Sequence, residues 1–414
     1  MEPTNGDYYA FATDLLDEGV DSALDEMLEP PGMTGVTMAV AYHTSRDVFP
    51  HNPRRTVGFL DAGCYFRPQR RRYRASGIDP VEHESCTAVD PLEVVRGATA
   101  DRGAALHAWL VCLHDVPAGA TRSDLVQRNM FDDPLRTELC PANPSVRAYL
   151  SALVADLTRY GCDSLIAESL HYHPFRHGYH HERCFVELDA VTEFLLGLCF
   201  CEHCTGWASS SGVDVDAVRR ACLAAAERAL IGEGHASPPE PIRDEIGALA
   251  GGEMAGFLRM REDVVSTLVA ELVAGSGGMR FCYQDPTGSV KGYATGEPQG
   301  GPAVDTGWQF GIDATRIGAS VPEYRMLGYA RDPGRLEREV RSVRRRVGTT
   351  PLSCVLRPAP PDADGAQDIR DKLAVLGSLG VADVGFYHYG LLPRSRLAHV
   401  AAALDRSVPA EGAS

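Results

Sequence analysis

Residues 351–389 read PLSCVLRPAPPDADGAQDIRDKLAVLGSLGVADVGFYHY. An apolar, β-branched run, Pro351–Pro358, gives way to a polar loop with proline, aspartate and glycine. Apolar residues at helical spacing follow over Ala366–Leu379, Gly380 sits where a helix C-cap belongs, and a second apolar run, Val381–Tyr389, begins at once. Strand, helix and strand in so short a span predict a βαβ unit and therefore a parallel sheet.

The same alternation recurs towards the N-terminus. Further strands are expected at Tyr8–Asp14, Gly35–His43, Ala105–Asp115, Cys162–Leu170, Met279–Asp285 and Glu323–Ala330. Helices are expected at Gly19–Leu28, Pro144–Arg159, Gly334–Val347 and Ser395–Leu404, with Gly161 and Gly348 as further helix ends. Eight strands alternating with helices predict a (β/α)8 TIM barrel; a two-layer α/β sheet with one strand fewer is the competing architecture. The surplus chain forms insertions after strands two, three and four, at residues 44–104, 116–143 and 171–278. Loops that follow barrel strands build its C-terminal face, where sites form, so the insertions are expected to shape a site within one domain spanning 1–414. The Pro-rich stretch Ser237-Pro238-Pro239-Glu240-Pro241 reads as a break between extra helices, and no linker is evident.

The formal charge of −16 over 414 residues disfavours a nucleic-acid or anionic-membrane partner. The exception, Arg67-Pro68-Gln69-Arg70-Arg71-Arg72-Tyr73-Arg74, reads first as a solvated face or a neighbour for acidic residues, and second as an anion contact. The N-terminus lacks a basic segment followed by an apolar one, and no run approaches the roughly 20 apolar residues of a membrane span. A cytoplasmic protein with reduced thiols is expected, so the twelve cysteines read as buried small residues or metal ligands.

Residues 198–204, LCFCEHC, place Cys199, Cys201 and Cys204 within reach of one ion. A fourth ligand from elsewhere would complete a tetrahedral zinc site, and His203 could replace one thiolate. Five of the fourteen histidines fall between His171 and His181, directly after Glu168. His43, His114 and His388 end separate strands. Such a convergence suits a divalent metal, and it serves equally as neutral hydrogen-bond partners for sugar hydroxyls, with Trp109, Tyr172, Tyr387 and Tyr389 offering ring faces. No G-x-S-x-G elbow, Walker loop or G-x-G-x-x-G fingerprint stands in a strand-turn-helix context.

Three motifs in order, Leu139-Cys140-Pro141-Ala142-Asn143-Pro144-Ser145-Val146-Arg147, the strand carrying Glu168, and Cys199-x-Cys201-x-x-Cys204, resemble glycoside hydrolase family 42, the barrel β-galactosidases. The resemblance covers residues 138–207. It implies Cys140 as the fourth thiolate of a structural Zn²⁺ and Glu168 as general acid/base. The chain departs from that family at Ala167, where an asparagine contacts the sugar 2-hydroxyl. It departs again at the end of strand seven, where Arg357-Pro358 stands in place of the nucleophilic glutamate and no carboxylate occurs before Asp362. Asp285 at the end of strand five is the leading replacement, with Asp14, Asp115 and Asp332 behind it.

The expectation is a glycoside-hydrolase-like enzyme of carbohydrate metabolism, acting on a sugar or glycosylated metabolite. Glu168 and Asp285 are its catalytic carboxylates, and His43, His114, His171, His173, Arg357, Tyr387 and His388 line its pocket. A second, catalytic metal has room among the histidines, and a homo-oligomer is compatible with the chain. A metal-dependent sugar isomerase or epimerase and a non-catalytic sugar-binding barrel are the alternatives.

Overall fold

The computed structural model describes residues 5–177, 183–232 and 240–405. Its strands are β1 (Asn5–Ala10), β2 (Met33–Tyr42), β3 (Ala105–Val111), β4 (Ser164–Glu168), β5 (Arg280–Asp285), β6 (Glu323–Leu327), β7 (Leu352–Leu356) and β8 (Asp383–Phe386). Each pairs in parallel with its neighbours in sequence, and β1 pairs with both β2 and β8, which closes the sheet into a ring. The helices packed outside include α1 (Val20–Leu28), α2 (Pro91–Asp101), α3 (Pro144–Leu157), α4 (Glu253–Gly275), α5 (Ala314–Ser320), α6 (Pro333–Val347), α7 (Ala366–Ser378) and α8 (Arg394–Leu404). The fold is a (β/α)8 barrel.

Local chemistry sets the helix starts. Asp90-Pro91, Asn143-Pro144 and Asp332-Pro333 each put an accepting side chain at the N-cap and a proline in the first turn. Gly161, Gly348 and Gly380 lie at helix ends with φ of 63°, 65° and 72°, in the left-handed region where a side chain is disfavoured. The strands are shorter than the apolar runs that predict them. β1 stops at Ala10, so Asp14 lies in a short helix, Ala12–Glu18. Residues above the ladder are still buried by the loops, and burial carries the same apolar signal as pairing.

The insertion after β2 holds a hairpin, Ser45–Val48 with Val57–Leu60, and a 3₁₀ turn, Arg70–Tyr73. The arginines there face acids: Arg70 lies 3.2 Å from Glu82 and Arg72 lies 3.7 Å from Asp156. The insertion after β3 forms the hairpin Val126–Arg128 with Pro134–Leu139. After β4 come helices Ala190–Leu196, Glu202–Ser210, Val215–Leu230 and Arg243–Gly247. Of the Pro-rich break, 237–239 lie outside the described residues, as do His180 and His181. No helix among the described residues is long and apolar enough to cross a membrane.

Alternation along the strands sends Tyr9, Trp109, Ile166, Cys282 and Val355 into the barrel, while the other face packs against helices. Deeper in the ring, Arg325 of β6 is a buried cation held by Asp7 at 3.5 Å and Glu323 at 3.6 Å, with Ser353 Oγ accepting from its Nε at 3.0 Å. The interior is thus aromatic near the mouth and ionic below.

Candidate functional site

Glu168 ends β4, and strand register determines what surrounds it. The β4–β5 ladder pairs Ile166 with Cys282, so two residues further on Glu168 stands beside Gln284. Gln284 Nε2 donates to Glu168 Oε2 at 2.9 Å, and Trp109 Nε1 donates to the same oxygen. Gln284 in turn accepts from Tyr9, whose hydroxyl accepts from Arg325 at 3.1 Å. A hydrogen-bonded chain therefore runs from the ionic base of the barrel to Glu168. Burial raises the Glu168 carboxyl to about 7, although the Trp109 bond and the nearby His177 pull the other way. Ser169, the next residue, takes φ of 54°, a left-handed conformation rare outside glycine, and this turns the chain off the strand.

Aromatic rings wall this carboxyl. Trp109 packs edge-on to Tyr9 at 5.1 Å, to Tyr42 at 4.9 Å and to Tyr387 at 6.0 Å. Arg357 occupies the end of β7, forks onto Asp362 at 2.9 and 3.0 Å, and lies over the rings of Tyr293 and Tyr329. It does not pair with Glu168. Asp47, from the hairpin after β2, is a carboxylate whose charge reaches Tyr42, His43 and Tyr387, although burial is the larger influence on each.

Next to Glu168 is a cluster of imidazoles around one acid. Glu138, on the hairpin after β3, is buried and bridges by backbone to His114. Its Oε1 lies 2.7 Å from His177 Nδ1 and accepts from Thr137 Oγ1 at 2.8 Å. Its Oε2 lies 2.7 Å from His173 Nδ1, but the two are not aligned as a hydrogen bond. His43 stacks on His114 and His173 on His177. Burial lowers the basicity of His43, His114, His171 and His173. Burial alone would raise Glu138, but His173 and His177 outweigh it and hold the carboxyl well below its usual range. His114, Glu138 and His177 form a group able to hold a metal ion.

The cysteines form a second such group. Cys140, Cys199, Cys201 and Cys204 are all buried, with ligand atoms within 4.8 Å of one another. Cys140 Sγ lies 3.5 Å from Cys201 and Cys204 and 3.9 Å from Cys199. Four sulfurs at about 2.3 Å from a tetrahedral ion stand about 3.8 Å apart, so the donor set fits. Cys140 comes from the turn before α3, Cys199 and Cys201 from the segment leading into helix Glu202–Ser210 and Cys204 from its first turn, so the cluster ties two insertions together. Tyr172 Oη lies 3.2 Å from Cys204 Sγ, and buried Arg261 sits 4.7 Å over the Tyr172 ring, a cation beside the thiols. His203 lies outside the group, 3.5 Å from Glu202.

Several sequence-predicted residues do not face the mouth. Asp285 is turned away from Glu168 because adjacent strand residues point to opposite faces. Its oxygens accept from Tyr324 Oη at 2.6 Å and Thr287 N at 2.9 Å, so it joins β5 to β6 and to the following turn. Asp14, Asp115 and Asp332 accept from backbone amides at or beside helix starts. His388 is buried against Phe11 at 4.2 Å, behind the wall. Tyr172 serves the cysteines, and Tyr389 bonds Glu18 and Glu26. Gln284, Glu138 and Asp47 are absent from the sequence reading, and His177 enters it only as one of the five histidines between His171 and His181. Only the parity of β5 could have signalled Gln284, and the others arrive by insertion folding.

No family model matches the sequence, and no curated protein matches it. Solved structures do. An α-L-fucosidase isoenzyme 2 from Paenibacillus thiaminolyticus superposes with a TM-score of 0.54 at 11% identity, over 98% of this chain and 49% of its own. A β-galactosidase from the psychrophilic Marinomonas ef1 gives 0.55 at 9% identity, over 97% and 59%. A β-galactosidase from Bacillus circulans sp. alkalophilus gives 0.52 at 11% identity, over 94% and 50%. The fold is that of barrel glycosidases. The chain spans about half to three-fifths of the length of these neighbours, and the likeness does not single out family 42.

Proposed function

We propose that the protein is a glycoside-hydrolase-like enzyme acting on a sugar or glycosylated metabolite, with Glu168 as general acid. The observation that carries this reading is the state of Glu168: a carboxyl at the C-terminal end of β4, raised to about 7, with both hydrogen bonds on Oε2. That leaves Oε1 to carry the proton that passes to the leaving glycosidic oxygen as the bond to the anomeric carbon breaks. Tyr42 and Tyr387 supply ring faces for the sugar, Trp109 lies buried behind them and holds Glu168, and His43 and Arg357 supply donors. Asp47 replaces Asp285 as the second carboxylate, on the side of Tyr42 and Tyr387. Cys140, Cys199, Cys201 and Cys204 hold a structural Zn²⁺, whose four thiolates leave no position for water. It braces the insertions around Glu168 and takes no part in proton transfer. A metal-dependent isomerase or epimerase is the second reading, favoured by the His114–Glu138–His177 group.

The test is hydrolysis of a nitrophenyl glycoside panel that includes the β-galactoside and the α-fucoside. Glu168→Gln is expected to lower the rate by about 10²- to 10⁴-fold and Asp47→Asn to lower it as well, while Asp285→Asn retains turnover. Unchanged turnover in Glu168→Gln, or binding of sugars without any turnover, would overturn the assignment.

A further inference from the structure

We propose that His114, Glu138 and His177 bind a divalent first-row transition-metal ion at the barrel mouth, separate from the cysteine cluster, with a coordination position left for water or a substrate oxygen. The inference goes beyond the hydrolase reading and does not depend on it. Two imidazoles and a carboxylate are a donor set found in open zinc and iron(II) sites, and three protein ligands do not complete the coordination sphere.

Three independent observations point to an ion. The ligands come from distant parts of the chain, yet their donor atoms converge within 4.8 Å: His114 from the loop after β3, Glu138 from the hairpin strand, His177 from the loop after β4. Each ligand imidazole is held by another ring, His43 stacked on His114 (4.6 Å, 12° between planes) and His173 on His177 (4.5 Å, 28°). The stacked rings fix the planes of the two ligand imidazoles. Finally, Glu138 Oε2 and His173 Nδ1 face each other at 2.7 Å out of hydrogen-bond alignment, and the buried Nε2 of His173 and Nδ1 of His171 have no hydrogen-bond partner. Buried polar atoms are ordinarily paired, so a cluster of orphans around one carboxylate marks a missing occupant.

The readout is the zinc content per chain after equilibrium dialysis against ZnCl2, compared between wild type and the variants Glu138→Gln and His177→Ala. Each variant is expected to hold one equivalent less than wild type. The Cys201→Ser variant, if folded, is expected to keep that equivalent. An equal zinc content in wild type and both variants overturns the proposal, whatever the cysteine cluster holds and whether or not glycosides are cleaved. His177 is partly exposed, its side chain 35% accessible, so its truncation is tolerated by the fold. Should Glu138→Gln fail to fold, His177→Ala alone decides. Replacing zinc with Co²⁺ gives the second readout: charge transfer from sulfur belongs to the thiolate site, and the proposed site adds absorption without it, lost in His177→Ala.

Discussion

At the scale of single residues, Glu168 couples function to stability. Its carboxyl stands at about 7 against an ordinary 4.5, with burial as the leading cause. The groups around it are Trp109 and Gln284, His177 from the insertion, and the phenols of Tyr42, Tyr329 and Tyr387. Because the folded-state value is raised, the protonated carboxyl contributes fully below about pH 4.5, and that contribution is lost as pH rises through about 7. Thermal unfolding at pH 5 and pH 8 should therefore show wild type losing stability relative to Glu168→Gln as pH rises, and a parallel response would contradict the buried-acid reading. In turnover the sign is the same: a proton donor is spent above its pKa, so the rate should fall on the alkaline side near pH 7 and this limb should vanish in the variant.

At the scale of elements, the four cysteines join the turn before α3 to the helix Glu202–Ser210, two segments that share no strand ladder. Without an ion, thiols at 3.5 Å gain little from one another. With Zn²⁺ they close a structural site of a kind that contributes on the order of 10 kcal/mol in small domains. A chelator, or Cys201→Ser, is expected to lower the melting temperature and to expose 116–143 and 190–230 to protease before the barrel strands. Uniform cleavage would argue against a local staple. The cap on α3 offers a smaller test. Asn143 Oδ1 accepts from Ser145 N and Val146 N, and Asn143→Ala should cost about 1 kcal/mol in a urea titration.

At the scale of the whole molecule, the ring is held by ladders and by the ionic core beneath its aromatic layer. Arg325 joins β6 to Asp7 on β1 and Ser353 on β7, and Asp7 also accepts from Thr37 on β2. Removing the cation leaves Asp7 buried with only the Thr37 hydroxyl, while Glu323 keeps Arg280 at 3.3 Å and the Ser353 hydroxyl. Arg325→Leu should cost about 3–5 kcal/mol, read from the denaturation midpoint. The same variant cuts the chain Arg325–Tyr9–Gln284–Glu168, so the alkaline limb of the pH profile should move even where the protein remains folded.

Much was legible in the chain itself. The alternation of apolar runs and helical segments, punctuated by Asp-Pro, Asn-Pro and Gly, predicts eight strands and a barrel because those signals are local: periodicity, capping and backbone freedom act within a few residues. The C-x-C-x-x-C spacing is legible for the same reason, whereas Cys140 as its fourth member and the choice of Glu168 come from the resemblance to family 42. Tertiary structure alone decided which residue at the end of β5 faces the mouth, since a one-residue change of parity exchanges Gln284 for Asp285. It alone brought Glu138 to His114 and His177, because those contacts depend on how two long insertions fold back over the barrel, and no local pattern records a meeting between residues so far apart in the chain.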